Sequence, residues 1–241
     1  MSPRVVGSPR QADALRKDVR IVKPSVGLVS SACHTWHVRV FLLSPANVSG
    51  ERARFLFNPR ATFDLAVRLR DHGAPLGEVM TFLSGLYFRG KLTYALAFAQ
   101  PPRRTQGVLV ITAGDGLRPA TDVVTLADLE RWGGVDIDAR NRRYTEPLAR
   151  DARRLARSLG KAGEAVLLGS VATSKYVDPL REALGPRLRV PLEFAGRGDM
   201  SRGGLMLRCA DARVELTCVP LEAAPRHGPR PPKLPPRGTG S

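Results

Sequence analysis

The sequence predicts an α/β fold with a mostly parallel central sheet. Short runs of apolar residues, typical of strands buried on both faces, recur along the 241-residue chain. Segments with apolar residues at helical spacing separate these runs, and this alternation indicates crossover connections between parallel strands. The segment 107–117, GVLVITAGDGL, is the clearest case, because an apolar run passes directly into a Gly-rich turn.

The individual elements follow from the same patterns in chain order. Helical spacing predicts helices at residues 63–70, 76–83, 86–99, 126–132, 146–159 and 177–184, with a loop from residue 44 entering an earlier helix. Apolar runs predict strands at residues 37–43, 107–113, 165–168 and 188–194, and an edge strand at 214–219. Arranged with right-handed crossovers, these elements form a Rossmann-like three-layer fold.

Composition divides the chain into three parts. Residues 1–30 lack sustained periodicity and are predicted to be a flexible basic arm. Residues 31–219 are predicted to be a single α/β domain. Residues 220–241, rich in Pro and Arg, have little to bury and are predicted to be a disordered tail.

The formal net charge of +16 permits two interpretations. Such a charge favours a polyanionic partner, either a nucleotide or a nucleic acid, DNA or RNA. However, only six of the 38 basic residues are Lys, and a GC-rich genome produces the same preference for Arg without selection for binding. The charge alone therefore leaves both explanations open.

Several classes of protein are not expected. No apolar run is long enough to span a membrane and no export signal is visible, so we expect a cytoplasmic protein without membrane contact. The three cysteines show no paired short spacing, which argues against a disulfide framework and a cysteine-based zinc site. We expect neither a metal nor a cofactor, and the oligomeric state stays open.

Polar, Gly-containing loops follow all four main strands. In a parallel sheet the carboxyl ends of the strands share one edge, where ligands bind. We therefore predict a ligand site there, with Asp115 and Asp199 as catalytic carboxylates that activate water or stabilise an oxocarbenium-like centre. The loops supply hydroxyls, amides, cations and an aromatic ring as candidate ligand-binding groups: Ser44, Asn47, Arg52, Gly114, Gly116, Gly169, Ser170, Thr173, Lys175, Tyr176, Arg197, Ser201 and Arg202.

A second set of residues suits contact with nucleic acid. Aromatic residues beside cations at positions 84–91 can stack on bases, and an Arg-rich helix can follow a phosphate backbone. The candidates are Tyr87, Arg89, Lys91, Arg143, Arg150 and Arg154. The alternative is that the aromatic residues belong to the core and that the arginines form a solvated helix face.

Three segments resemble a family of bacterial α/β domains described as similar to peroxide-stress proteins. They are the strand and GDGL turn within residues 108–126, LLGSVATSKYVDPL at 167–180, and VPLEFAGRGDMSRGG at 190–204. The resemblance covers residues 107–207. It implies a glycosylase-like architecture and a role in nucleobase, nucleotide or DNA metabolism.

These observations lead to one functional hypothesis and two alternatives. The hypothesis is an enzyme directed at a nucleotide, nucleoside or nucleic-acid base, which hydrolyses or transfers at a glycosidic bond. The alternatives are a non-catalytic nucleic-acid-binding protein and a nucleotide-sensing regulatory domain. The sequence does not decide among them.

Overall fold

A six-stranded, mostly parallel sheet forms the centre of the protein, as predicted for an α/β fold. The computed structural model describes residues 38–172, 174–225, 227–232 and 234. The predicted N-terminal arm, residues 1–30, lies outside them. The strands are β1 (Arg39–Leu43), β2 (Ala74–Pro75), β3 (Val108–Ile111), β4 (Leu117–Pro119), β5 (Val123–Val124), β6 (Glu164–Leu168), β7 (Leu188–Pro191) and β8 (Cys218–Pro220).

The sheet has the order β4-β3-β1-β6-β7-β8. Its four inner strands are parallel and include β1, whose backbone pairs with β3 on one side and β6 on the other. The outer strands β4 and β8 are antiparallel to their neighbours, have three residues each and end in Pro119 and Pro220. A separate two-stranded sheet joins β2 to β5.

Eight α-helices occur in the described part of the chain. They are α1 (Glu51–Phe57), α2 (Asp64–Asp71), α3 (Leu76–Ser84), α4 (Leu86–Phe98), α5 (Leu126–Gly133), α6 (Arg142–Leu159), α7 (Ser174–Leu184) and α8 (Asp199–Ala212). Helix α4 packs extensively on α8, and α6 packs on α7. None of these helices is both long and apolar enough to cross a membrane.

The core follows the strand pattern. The side chains of β3, and of β1 and β6 beyond their first residues, are buried, as expected for strands covered on both faces. The strand prediction at 107–113 was too long, because Thr112 and Ala113 already belong to the turn, where Thr112 N donates to Gly116 O at 2.8 Å. The site residues beyond the strands therefore lie on short turns supported by a rigid core.

The chain after β7 differs most from the prediction. The predicted strand at 188–194 ends at Pro191, and Leu192–Phe194 form a 3₁₀ turn. The following residues, including Ser201 and Arg202, were predicted to form a loop but lie in helix α8. The edge strand was predicted at 214–219 but begins only at Cys218, because Leu216 N donates to the Tyr94 hydroxyl at 2.8 Å.

The first part of the predicted disordered tail lies against the domain. Residues Leu221–Ala223 form a 3₁₀ turn, and the side chain of Leu234 packs against the core. At Gly196 (φ +70°) an added Cβ would lie 2.1 Å from the Pro229 carbonyl oxygen. Residues 235–241 lie outside the described residues.

Candidate functional site

A cavity of about 590 Å³ lies at the carboxyl edge of the parallel strands. Its lining includes residues that follow all four inner strands: Ser44 to Ser49, Thr112 and Ala113, Ser170 with Lys175 and Tyr176, and Asp199. Strand β1 is the first along the chain, yet its neighbours β3 and β6 lie on opposite sides of it. The cavity therefore lies where the strand order reverses, the usual ligand position in such sheets.

The loop after β1 forms one wall of the cavity. Asn47 Oδ1 accepts a hydrogen bond from Ser49 N at 2.9 Å, which holds the loop in a tight turn before α1. The predicted ligand-binding residue Arg52 instead lies on α1 and donates from Nη1 to the Phe82 carbonyl oxygen at 3.0 Å. Ser44 and Asn47 line the cavity, whereas Arg52 connects α1 to α3.

Asp115 lies outside the cavity lining and binds other side chains. Its Oδ2 accepts a hydrogen bond from Trp132 Nε1 at 2.9 Å and forms ion pairs with Arg131 and, at 3.6 Å, with Arg118. Trp132 is 1% exposed and lines the cavity. The structure thus places Asp115 in contact with a residue of the cavity wall and outside the lining itself, and its role as a catalytic carboxylate stays a prediction.

The two glycines beside Asp115 shape its turn. Gly116 has φ +73°, and an added Cβ would lie 2.2 Å from Asp151 Oδ2, so the turn requires glycine there. Asp151 Oδ2 in turn accepts a hydrogen bond from Leu117 N at 3.1 Å. Gly114 faces Val135 and Trp132 at ordinary contact distances. Both glycines support the turn and neither is part of the cavity lining.

The loop after β6 brings Ser170 to the cavity, and the first turn of α7 brings Lys175 and Tyr176. Tyr144 of α6 donates its hydroxyl to the Lys175 carbonyl oxygen at 2.9 Å, and Lys175 Nζ lies 5.1 Å from the centre of the Tyr176 ring. Gly169 lies against Ser44, because an added Cβ would approach Ser44 Cβ to 3.0 Å. Thr173 lies outside the described residues.

Of the four candidate residues after β7, only Asp199 lines the cavity. Arg197 donates from Nη1 to Ser201 Oγ at 3.2 Å and from Nε to the Glu193 carbonyl oxygen at 3.1 Å. Arg202 donates to the Phe194 carbonyl oxygen at 3.1 Å. These side chains fix the start of α8, and so they position Asp199.

Lys91, predicted to contact nucleic acid, is buried beneath the cavity at 1% exposure. Its Nζ donates to the Ser44 carbonyl oxygen and lies 2.9 Å from Ser44 Oγ. It also lies 4.4 Å from the centre of the Tyr87 ring and 4.9 Å from that of Phe88. Burial lowers the pKa of Lys91 to about 7, and Asp199 opposes this shift while Arg202 adds to it.

Two tyrosines form the cavity wall near Lys91. Burial raises the pKa of Tyr87 and of Tyr176 to about 12, so both phenols are protonated at neutral pH. Asp199 adds to the upward shift of both pKa values. The Tyr87 hydroxyl is buried and makes no hydrogen bond of normal geometry to the part of the chain that the structure describes. A buried donor without a partner at a cavity wall is available to a ligand.

The remaining nucleic-acid candidates are exposed, but several have acidic neighbours. Tyr87 and Lys91 lie inside the protein, because their face of α4 packs against the sheet and α8. On α6, Arg150 and Arg154 form ion pairs with Asp151 at 2.9 and 3.9 Å. Arg89 and Arg143 are exposed. The α6 arginines therefore do not form an uninterrupted cationic stripe.

Several cavity residues between β5 and α6 were not predicted. Trp132, Asp136 and Ile137 line the cavity, although none of them belongs to the polar loops that follow the four main strands. The contact between Lys91 and Ser44 was not predicted either. A signal was present, since Lys91 follows Phe88 by three residues and directly precedes Leu92, in a helix whose only other cation is Arg89. Among the described residues, no group of three or more His, Cys, Asp or Glu side chains could hold a metal ion.

Comparisons with known proteins give no family for this chain. No model of a protein family, no curated protein and no solved structure matches it. The geometry of the cavity is therefore the basis for assigning a function.

Proposed function

We propose that this protein is an enzyme acting on a nucleotide, nucleoside or nucleic-acid base, by hydrolysis or transfer at a glycosidic bond. One observation carries the proposal: a single cavity combines the aromatic side chains Trp132, Tyr87 and Tyr176 with the carboxylates Asp136 and Asp199. Its volume of about 590 Å³ lies within the range of small-molecule sites. Aromatic faces suit a planar base, and carboxylates suit glycosidic chemistry.

The carboxylate best placed for catalysis is Asp199. It lies at the first residue of α8 and lines the cavity, with Arg202 Nη1 3.5 Å from its Oδ1, whereas Asp115 lies outside the lining and is engaged by Trp132 and two arginines. In the proposed reaction Asp199 activates water or stabilises positive charge on the sugar, and Asp136 is the second carboxylate. Ser170, Asn47 and Lys175 supply polar contacts to the ligand.

The strand order supports a finer description of the fold. Strand β3 lies on one side of β1, and β6 and β7 lie on the other. Right-handed crossovers in such a sheet place α1–α4 and α6–α7 on opposite faces. We infer a Rossmann-like, three-layer arrangement, which is compatible with the packing of α4 on α8 and of α6 on α7.

The proposal is tested by calorimetry with a panel of nucleosides, nucleotides and bases, followed by chromatographic analysis of products. We expect micromolar to millimolar binding of at least one compound and release of its free base. The Asp199→Asn variant should bind the same compound and release no base. The matched control Asp71→Asn changes an exposed carboxylate on α2 and should behave like the wild type.

Each alternative gives a different result. Binding without product would contradict the enzyme and favour a nucleotide-sensing domain. Binding only to DNA or RNA, with affinity that falls steeply with salt, would favour a nucleic-acid-binding protein. Unchanged turnover in Asp199→Asn would remove Asp199 from the mechanism.

A further inference from the structure

A serine and a lysine are in direct contact at the base of the cavity. Ser44 follows the central strand β1, and Lys91 reaches it from α4, with Nζ 2.9 Å from Ser44 Oγ. Both residues are buried, with 5% and 1% exposure, and Ser44 lines the cavity. This is the distance at which a base removes a proton from a nucleophile.

The surroundings of Lys91 favour its neutral form. Within the described residues it makes no ion pair, and its near neighbours are Ser44 and the rings of Tyr87 and Phe88. The charges that act on it are Asp199 and Arg202, which have opposite signs. A lysine buried in this way loses its proton near neutral pH, which a general base requires.

Gly169, directly after β6, leaves room for the Ser44 side chain. An added Cβ at residue 169 would lie 3.2 Å from Ser44 Oγ, so a larger residue there would crowd the hydroxyl. Ser44 N and Ser44 Oγ both donate to the Leu168 carbonyl oxygen, at 3.3 and 3.4 Å, so the hydroxyl must turn from this weak contact toward Lys91 Nζ before its proton is transferred. Ser44 is therefore held on rigid backbone, as a nucleophile must be.

We propose that Ser44 is a nucleophile and Lys91 its general base, which gives the cavity an acyl-transfer activity toward an ester or activated amide. Ser44 Oγ attacks the acyl carbon and its proton passes to Lys91 Nζ. The protonated lysine then donates that proton to the leaving alcohol or amine as its bond to the acyl carbon breaks. Water releases the acyl group by the same steps with Lys91 again as base.

Tyr87 supplies a donor for the negative charge that develops on the carbonyl oxygen. Its hydroxyl is buried at the cavity wall and makes no hydrogen bond of normal geometry in the described residues, although the Arg202 guanidinium lies close enough to act on it. Lys91 Nζ contacts both Ser44 Oγ and the face of the Tyr87 ring, and Ser44 and Tyr87 line the same cavity. Preorganised donors of this kind stabilise tetrahedral intermediates.

A fluorophosphonate probe tests this proposal without knowledge of the substrate, because it phosphonylates activated serines and releases fluoride. Mass spectrometry of the labelled wild type should find the phosphonyl group on Ser44. Ser44→Ala should remove it, and Lys91→Met should slow labelling by about 100-fold or more. Ser158→Ala, which changes an exposed serine on α6, is the matched control and should label like the wild type.

The pH profile of the wild type provides a second readout that needs no variant. The labelling rate should rise with pH around a midpoint near the pKa of Lys91, about 7, and then level off. Tyr87, with a pKa of about 12, stays protonated over this range. A wild type that labels slowly, labels elsewhere, or shows no rise with pH would overturn the proposal.

This inference does not depend on the proposed glycosidic chemistry, and the two can fail separately. Labelling of Ser44 in a protein that releases no base would support the serine nucleophile and contradict the glycosidic function. Release of base by a protein whose Ser44 resists the probe would do the reverse.

Discussion

Lys91 illustrates how a single side chain can carry both a cost in stability and a function. Its ammonium group gains a hydrogen bond to the Ser44 carbonyl oxygen and contacts two aromatic rings, but it is 99% shielded from water. Desolvation outweighs these contacts and lowers its pKa from the ordinary value of 10.5 to about 7. A residue placed only for stability would be better replaced by an apolar one.

The pH dependence of stability should report this cost. Between about pH 7 and 9 the unfolded chain retains the Lys91 proton that the folded protein has lost, so the folded state gains stability as pH rises. The unfolding free energy of the wild type, minus that of Lys91→Met, should therefore increase by up to about 1.4 kcal/mol per pH unit. Urea unfolding of both proteins at several pH values measures this difference in unfolding free energy.

If the difference in unfolding free energy between the wild type and Lys91→Met did not change across that pH range, Lys91 would keep its proton in the folded state. Toward pH 9 the thiols of the unfolded chain also begin to ionise, while burial raises the pKa of Cys209 and Cys218 in the folded protein to about 12. Subtracting the variant removes this contribution, which both proteins share.

Asp115 provides a second prediction for a single residue. Asp115→Asn removes the charge that pairs with Arg131 and Arg118 but leaves an oxygen that can accept from Trp132 Nε1. We expect the unfolding free energy to fall by about 1 kcal/mol and nucleoside turnover to fall only partly, unlike in Asp199→Asn. Urea unfolding and product assays measure both effects. Complete loss of turnover at unchanged stability would instead indicate direct catalysis by Asp115.

Helices α4 and α8 approach closely because both carry glycine at their contact. An added Cβ on Gly90 would lie 2.5 Å from the Gly203 carbonyl oxygen, and one on Gly203 would lie 2.7 Å from that of Leu86. Because Tyr87, Lys91 and Asp199 all lie on these two helices, this close contact sets the geometry of the cavity.

Gly90→Ala should therefore separate the helices and lower the unfolding free energy by about 1 to 3 kcal/mol. Gly204→Ala is the matched control, since its Cβ would meet only Leu234 Cδ1 at 3.6 Å. On helix propensity it should stabilise by about 0.5 to 1 kcal/mol. Thermal and urea unfolding distinguish the two variants, and equal stability of Gly90→Ala and the wild type would contradict the close packing.

Helices and strands with strong apolar periodicity could be predicted from the sequence. Elements whose formation depends on a tertiary contact could not. The inner strands and helices α2 to α7 were found, although α6 begins at Arg142 because Asn141 caps it and Pro147 is tolerated inside it. Helix α8 was missed because Gly203 and Gly204 are typical of a loop, and only their packing against α4 and Leu234 explains them.

The cavity residues also divide into those that a local sequence pattern predicts and those that only tertiary contacts determine. Residues on all four polar loops could be named, because parallel strands place their carboxyl ends together. Which side chains line the cavity could not be named, since Arg197, Arg202 and Asp115 make contacts to distant or backbone groups that no local pattern encodes. The contact of Lys91 with Ser44 spans 47 residues and is of the same kind.

At the scale of the whole molecule, more of the C-terminal segment packs against the domain than its composition predicts. Leu234 packs against the core beside Gly204, and Pro229 lies against Gly196. Deletion of residues 225–241 should lower the unfolding free energy by about 1 kcal/mol, mainly through exposure of Leu234 and its neighbours. Deletion of residues 235–241, which removes no described residue, is the control and should unfold like the full chain. Equal thermal stability of all three proteins would contradict the docking of this segment.

The two outer strands have a consequence for behaviour at high concentration. Strands β4 and β8 are three residues long, and each ends in a proline, which has no N–H to offer a neighbouring molecule. A strand of another molecule that aligned with β4 or β8 would meet too few backbone donors and acceptors to extend the sheet. Fibril growth through sheet extension is thus disfavoured, and the protein can stay dispersed without covering its sheet margins with another subunit.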